Sequence, residues 1–168
     1  MRITGGELKG RFTKCPDGII RPAMDRMRES VFAILGVLSG KSFLDLFSGS
    51  GTIAIEAVSR GAEHVVLCEK DKIKVKTVLG NVSMTEKVMH KKIECHFMPV
   101  ELFIKRTKTQ FDIIFCDPPF PYKFHQDLIK SISDNNLLTK SGLVLIHRPS
   151  EKDMPETLGN LRKKERPC

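Results

Sequence analysis

The sequence predicts an α/β fold with a doubly wound parallel sheet and helices on both faces. Five short apolar runs alternate with stretches of helical length from residue 41 onward. The runs are continuously apolar, which is typical of strands that are covered on both sides. The segments between them are long enough for the crossover helices that parallel neighbours require. These observations together indicate a Rossmann-like architecture, in which ligands bind beyond the carboxyl ends of the strands.

Residues 1–40 are predicted to precede this sheet as an N-terminal unit. Residues 1–24 form a basic arm that contains glycine and proline, and a helix should follow from about Asp25. Apolar residues then recur at helical spacing until Gly36, which is a plausible stop. The remainder, residues 41–168, is expected to form a single globular domain.

The elements of that domain follow in order. The predicted strands are Ser42–Phe47, His64–Cys68, Ile93–Phe97, Phe111–Cys116 and Gly142–His147. The predicted helices between them are Thr52–Arg60, Lys72–Met84, Val100–Lys108 and Phe124–Asn135.

Composition excludes several classes of protein. A chain of 168 residues with 40% apolar and 29% charged residues is ordinary for one soluble domain, so it is neither a disordered tail nor a fibre. No apolar run reaches the roughly 18 to 20 residues of a membrane span, and the N-terminus lacks the apolar core of a signal peptide, so we expect a cytoplasmic protein. The five cysteines include no C-x-x-C pair, which suggests neither a disulfide framework nor a zinc site.

The net charge is +8, and residues 70–110 hold ten basic against four acidic side chains. This excess suits a polyanionic partner such as RNA or DNA, although a solvated lysine-rich face would look the same.

A nucleoside-binding motif follows the first strand. The run from Asp45 to Gly51 reads D-L-F-S-G-S-G, and its glycines allow a tight turn close to a ligand. Glu69 follows the second strand and can accept the hydroxyls of a ribose. The spacing also matches the loose NAD fingerprint, but the Asp45 carboxylate would repel a pyrophosphate and attract a cation. S-adenosylmethionine carries an ammonium and a sulfonium, so the motif favours that cofactor.

The tetrapeptide Asp117-Pro118-Pro119-Phe120 follows the fourth strand. Proline holds the preceding residue extended, and the proline carbonyls are expected to stay free of turns. One carboxylate, one carbonyl and one ring then suit the exocyclic amine of a flat base, with Phe120 stacked on it. Hydrogen bonds to both N–H groups favour a nucleophilic nitrogen, and the carboxylate stabilises its developing positive charge. This chemistry needs neither a metal nor a covalent nucleophile.

Together these motifs resemble the class I methyltransferases that modify exocyclic amines of bases. Two stretches, Arg2–Arg11 and Arg21–Glu29, resemble the RsmD family of bacterial methyltransferases, which act on guanine N2 in small-subunit ribosomal RNA. The resemblance extends from residue 2 to about residue 147. It implies S-adenosylmethionine as cofactor and ribosomal RNA or the small ribosomal subunit as partner, with no membrane association; the chain itself is expected to be a monomer.

The resemblance also implies roles for individual residues. The predicted cofactor-binding residues are Asp45, Phe47, Gly49, Gly51, Glu69 and Val100. The predicted catalytic residues are Asp117, Pro118 and Phe120, and the predicted substrate-binding residues are Arg21, Arg26 and Arg28. The alternative for these arginines is surface ion pairing with Asp25 and Glu29.

Three features depart from the family pattern. Ala23 and Met24 replace the usual hydroxyl residues, and Pro99 stands where an Asp or Asn would hold the adenine amine, which leaves apolar contact and the Val100 N–H. Only 21 residues follow His147, and Leu161–Cys168 lacks a strand pattern. The sheet is therefore expected to lack part of its terminal antiparallel hairpin, or the chain to be shortened, with residues after about 150 poorly ordered or edge-like.

Two other functions remain open from the sequence. A DNA adenine-N6 or cytosine-N4 methyltransferase would share the site, although a DNA enzyme usually needs a recognition domain for which 168 residues leave no room. A catalytically inert RNA-binding protein could use the same scaffold.

Overall fold

A five-stranded parallel sheet forms the centre of the computed structural model, which describes residues 1–15, 22–149 and 153–164. The helices are α1 (Pro22–Leu35), α2 (Thr52–Ser59), α3 (Val75–Met89), α4 (Val100–Arg106) and α5 (His125–Asp134), with a 3₁₀ turn at Lys72–Lys74. The strands are β1 (Ser42–Asp45), β2 (His64–Cys68), β3 (Ile93–His96), β4 (Phe111–Cys116), β5 (Leu138–Ile146), β6 (Thr157–Leu158) and β7 (Leu161–Arg162). Within the described ranges, no helix has the length and apolarity to span a membrane.

The sheet has the order β3-β2-β1-β4-β5 and is covered on both faces. Successive side chains of a strand point to opposite faces. In β1, Phe43 packs in a cluster with α1, α2 and α3, whereas Leu44 packs in a second cluster with α4 and α5. Both faces of the strands are therefore buried, which explains why they are continuously apolar. The predicted doubly wound α/β fold is confirmed.

The parallel registers bring the carboxyl ends of four strands together. Asp45, the last residue of β1, is paired with Leu67 of β2 on one side and Phe115 of β4 on the other. Cys116, the last residue of β4, is paired with Ile146 at the end of β5. The residues that follow β1, β2, β4 and β5 consequently meet at one edge of the sheet.

The N-terminal arm packs on α2 through its first eight residues. Ile3 and Leu8 are buried in the cluster on that face of the sheet. The Leu8 N–H donates to Ser59 Oγ at 2.8 Å, and Gly6 has a φ of 77° beside the Ser59 backbone. A Cβ at Gly6 would stand 1.9 Å from the Ser59 carbonyl oxygen, so only glycine allows this approach.

The fifth strand begins earlier than predicted. It starts at Leu138 rather than Gly142, and its pairing with β4 shifts register between Phe111 and Ile113. The backbone at this irregularity is crowded around Gly142, where an added Cβ would lie 3.0 Å from the Thr139 carbonyl oxygen. This bulge interrupts the apolar pattern, which is why the sequence predicts only the later half of the strand.

The prediction that Leu161–Cys168 contains no strand is wrong for Leu161–Arg162, which pairs with Thr157–Leu158 in a small antiparallel hairpin. Gly159 and Asn160 form its two-residue turn, and the Asn160 N–H donates to Ser133 Oγ of α5 at 2.8 Å. The hairpin forms a separate two-stranded sheet. Among the described residues, no antiparallel strand joins the five-stranded sheet.

Candidate active site

The turn after β1 is fixed by backbone hydrogen bonds. The Ser48 N–H donates to the Cys68 carbonyl of β2 at 3.0 Å, and the Gly51 N–H closes the turn onto the Ser48 carbonyl at 2.8 Å. Gly51 precedes α2 with a φ of 81°, a left-handed conformation that glycine adopts without a Cβ penalty. The start of α2 therefore lies directly at the carboxyl end of β1.

Glu69 follows β2 and joins this turn. Its Oε2 accepts the Gly49 N–H at 2.8 Å, and its Oε1 accepts the Asp71 N–H at 2.8 Å. The Lys74 Nζ lies 3.9 Å from Oε2. Each carboxylate oxygen has a second lone pair, so Glu69 can still accept hydrogen bonds from a hydroxyl-bearing ligand.

A cavity of about 770 Å³ opens at this edge of the sheet, a volume in the range that holds a small-molecule ligand. Its lining includes the sequence-predicted residues Phe47, Gly49, Glu69, Val100 and Asp117. It also includes residues for which the sequence predicted no role at this site, among them Met1, Met27, Lys70, Lys72, Glu101 and Tyr122.

Asp45 is fully buried behind the cavity wall, which its neighbours Leu46 and Phe115 help to form. Neither of its carboxylate oxygens has a hydrogen-bond partner among the described residues. Burial raises the pKa of Asp45 to about 8, and the negative charge of Asp117 adds to the shift, while the backbone N–H groups of Ala54 and Phe47 oppose it. A buried acid without a partner fits a ligand that brings a positive charge, since burying a lone carboxylate is costly.

Asp117 follows β4 and lines the cavity, with its side chain 30% exposed. Its Oδ1 lies 2.8 Å from Nδ1 of His147, the first residue after β5. This contact raises the pKa of His147, because a nearby carboxylate favours the imidazolium form. His147 was predicted at a strand end, but no role was predicted for it.

The aromatic residues around Asp117 differ in exposure, and the predicted stacking of Phe120 on the base stays a prediction. The Phe120 ring is 87% exposed, whereas Tyr122 lines the cavity with its ring 5.3 Å from that of Phe47. Pro118 is buried. The Pro119 carbonyl accepts the Tyr122 N–H at 2.8 Å, so the expectation that both proline carbonyls stay free of turns is wrong for Pro119. This turn is what brings Tyr122 back to the wall.

The predicted arginines have different surroundings. Arg28 is 1% exposed, and its guanidinium contacts Glu56 Oε2 at 3.2 Å, Asp25 Oδ1 at 2.5 Å and the Arg2 carbonyl at 2.5 Å. These contacts engage its guanidinium inside the protein, and Arg28 also lines the cavity. Its predicted role in substrate binding stays a prediction. Arg26 is exposed on α1. The predicted role of Arg21 falls outside the described residues.

Val100 is the first residue of α4, with Pro99 as the N-cap residue, and its side chain is buried at the cavity wall. On the same side, Cys68 Sγ donates to the Met98 carbonyl at 3.2 Å, which ties the end of β2 to the segment after β3. Val100 therefore contributes an apolar side chain to the cavity wall. The adenine contact predicted for Val100 stays a prediction.

Comparison with known proteins gives consistent relatives. A family model described as "Conserved hypothetical protein 95" matches residues 1–167. "Putative rRNA methyltransferase YlbH" of Bacillus subtilis is 34% identical, with 96% of this chain and 89% of the relative covered. "Ribosomal RNA small subunit methyltransferase D" of Escherichia coli is 30% identical, with 95% of this chain and 80% of the relative covered.

Solved structures agree with the fold. "Putative methyltransferase yhhF from Escherichia coli" is similar with a TM-score of 0.82 and 31% identity, covering 92% of this chain and 84% of that chain. A structure described as "SMU.776, a putative methyltransferase complexed with SAH" has a TM-score of 0.63 and 22% identity, covering 79% of this chain and 37% of that chain. At that identity the similarity concerns the fold alone.

Proposed function

This chain belongs to the RsmD family, whose model carries the description conserved hypothetical protein 95, and on that premise we propose that it methylates the exocyclic N2 amine of a guanine in small-subunit ribosomal RNA. The methyl donor is S-adenosylmethionine. The observation that carries the proposal is the placement of two carboxylates, Asp45 and Asp117, at the tips of neighbouring strands.

The two carboxylates differ in their surroundings, and this difference suits two different tasks. Asp45 is buried without a hydrogen-bond partner among the described residues, so a cation is the ligand that relieves its burial. Asp45 and the Ser48–Gly51 turn would hold the charged methionine end of the cofactor. Glu69 would accept the ribose hydroxyls, and Val100 would contact the adenine.

When bound, S-adenosylmethionine supplies a methyl group on a positively charged sulfur. Asp117 lines the cavity and can accept an N–H of the target amine with the oxygen that His147 does not occupy. Its negative charge stabilises the positive charge that develops on the amine nitrogen. The nitrogen then releases one proton to solvent. The wall formed by Phe47 and Tyr122 would hold the flat base beside Asp117, which supplies the orientation that the reaction needs.

Basic side chains at the cavity suit an RNA substrate. Lys70 and Lys72 line the cavity and are exposed, and Arg26 is exposed on α1. The net charge of the chain is +8. Positive charge around the mouth attracts the phosphates on either side of a target base. We further propose that the protein acts as a monomer in the cytoplasm.

The experiment is methyl transfer from labelled S-adenosylmethionine to three substrates: small ribosomal subunits, free ribosomal RNA and duplex DNA. The RNA and subunits come from cells that lack this protein, and the products are identified by nucleoside analysis. The proposal expects N2-methylguanosine in ribosomal RNA. Methyladenine or methylcytosine in DNA would overturn this proposal in favour of a DNA methyltransferase. RNA binding without any product would indicate an inert RNA-binding protein.

A further inference from the structure

The contact between His147 and Asp117 is set by the backbone of two paired strands. β4 and β5 are parallel, and Cys116 and Ile146 are register partners at their ends. The His147 N–H donates to the Cys116 carbonyl at 2.8 Å, which extends the ladder one residue further. The two side chains that follow the paired residues therefore start from fixed positions, and their contact does not depend on a mobile loop.

The hydrogen bond has a defined direction. An ionised carboxylate only accepts, so the His147 Nδ1 carries the proton that is donated to Asp117 Oδ1 at 2.8 Å. This bond fixes the rotation of the Asp117 carboxylate and leaves Oδ2 for the amine. The imidazole is 59% exposed, so its Nε2 can exchange a proton with solvent while Nδ1 keeps its contact.

We propose, resting on the function proposed above, that His147 is a positioning residue. Its Nδ1–H holds the Asp117 carboxylate in place. The presence or absence of a proton on Nε2 sets how much negative charge the pair presents to the target amine. Neutral imidazole leaves the full charge of Asp117 available. Imidazolium offsets it, and the positive charge developing on the amine is then stabilised less.

The direction of the pH dependence follows from the contact. Asp117 raises the pKa of His147 above its ordinary value of 6.5, so the imidazolium form persists to higher pH. Since the neutral form is the active one, kcat rises as pH increases through this raised pKa. Other titratable or charged groups on the surrounding elements are Asp45, Glu69, Glu101, Cys116, Tyr122 and Arg148. Saturating cofactor keeps Asp45 ionised and removes its titration from kcat.

The test measures kcat from pH 5.5 to pH 8 with cofactor and RNA saturating. Wild-type kcat should rise at least about ten-fold over this interval, because less than about a tenth of His147 is neutral at its lower end. His147→Asn keeps an N–H donor but cannot titrate, so its kcat should vary less than about two-fold and match wild type within about three-fold at pH 8. His147→Ala loses the donor and should be at least about ten-fold slower at every pH.

His90→Asn is the matched control, because His90 is exposed at the C-terminal cap of α3 with a φ of 53° that asparagine tolerates. It should reproduce the wild-type profile. A wild-type rise that persists in His147→Asn, a flat wild-type profile, or an undiminished His147→Ala rate at pH 8 would each overturn the proposal. If wild type transfers methyl groups and any of these results is obtained, only the proposed role of His147 is wrong. If wild type transfers none, the proposed function is wrong.

A second measurement needs no turnover. NMR titration of the His147 imidazole should give a pKa above 6.5 in wild type, and Asp117→Asn should lower that pKa toward the ordinary value because the charge is removed. An unchanged His147 pKa in Asp117→Asn would show that the pair is not coupled.

Discussion

Cofactor binding should release a proton from Asp45. Burial and the charge of Asp117 raise the pKa of Asp45 to about 8 in the free protein. At pH 7 about nine tenths of the molecules therefore carry protonated Asp45. A cationic ligand beside this side chain favours the carboxylate, since an opposite charge lowers the pKa. Binding at pH 7 should then release close to one proton for each cofactor bound.

The linkage predicts the size of the pH effect on affinity. If the bound form contains the carboxylate, the Kd is inversely proportional to the fraction of free protein in which Asp45 is ionised. For a pKa of about 8, that fraction increases about twenty-fold between pH 6 and pH 7.5. Asp45→Asn cannot ionise, so its Kd should change less than about two-fold, and at pH 7.5 it should bind at least about ten-fold more weakly than wild type.

Isothermal titration calorimetry in phosphate and in Tris at pH 7 measures the proton directly, because the two buffers differ in heat of ionisation. Asp134→Asn, an exposed acid at the end of α5, is the control and should behave as wild type. A binding heat that does not depend on the buffer, together with a wild-type Kd that is constant from pH 6 to pH 7.5, would refute the reasoning.

Three further predictions concern stability and binding. The pKa of Asp45 is 3.8 in the unfolded chain and about 8 in the free fold, so the fold loses stability as pH rises between these two values. In thermal denaturation, Asp45→Asn should therefore be more stable than wild type at pH 7 by up to roughly 4 kcal/mol, with no difference near pH 4. Arg28→Met leaves Glu56 with one cation fewer in the core and should cost about 3–5 kcal/mol, whereas the exposed Arg26→Met should change stability by less than about 0.5 kcal/mol; equal denaturation midpoints would contradict this. RNA affinity should fall at least about ten-fold between 50 and 200 mM salt while cofactor affinity stays within about two-fold, and parallel salt slopes in filter binding and calorimetry would argue against phosphate contacts.

Local sequence pattern predicts the sheet well because burial on both faces leaves little freedom in composition. β2 and β4 begin and end where the apolar runs begin and end. The bulge in β5 was not predicted, because an irregular strand at the sheet edge loses the continuous apolar pattern. The β6–β7 hairpin was missed although Gly159-Asn160 is a recognised two-residue turn signal, since strands of two residues have no periodicity to detect.

The candidate site was predictable where a residue ends a strand or directly follows one. Asp45, Glu69 and Asp117 meet at one edge because parallel strands end at the same edge. The partner of Asp117 was not predictable, since the contact of His147 depends on the register between β4 and β5.

The Arg28–Glu56 contact and the position of Phe120 depend on tertiary packing that short motifs do not contain, whereas the Arg28–Asp25 pair lies within one helix. A buried acid on α2, 28 residues further along the chain, takes up the Arg28 guanidinium. The turn closed by Tyr122 leaves Phe120 outside the cavity lining. Residue type therefore predicted the chemistry of the site more reliably than it predicted which side chains line the cavity.

The separation of tasks between the two carboxylates is tested most directly by the single-turnover rate of methyl transfer in Asp117→Ala, with cofactor and ribosomal RNA saturating. Loss of the acceptor and its charge should lower this rate at least about 100-fold, while the Kd for S-adenosylmethionine stays within a few fold of wild type. A rate close to wild type would contradict the assignment of Asp117 to the amine.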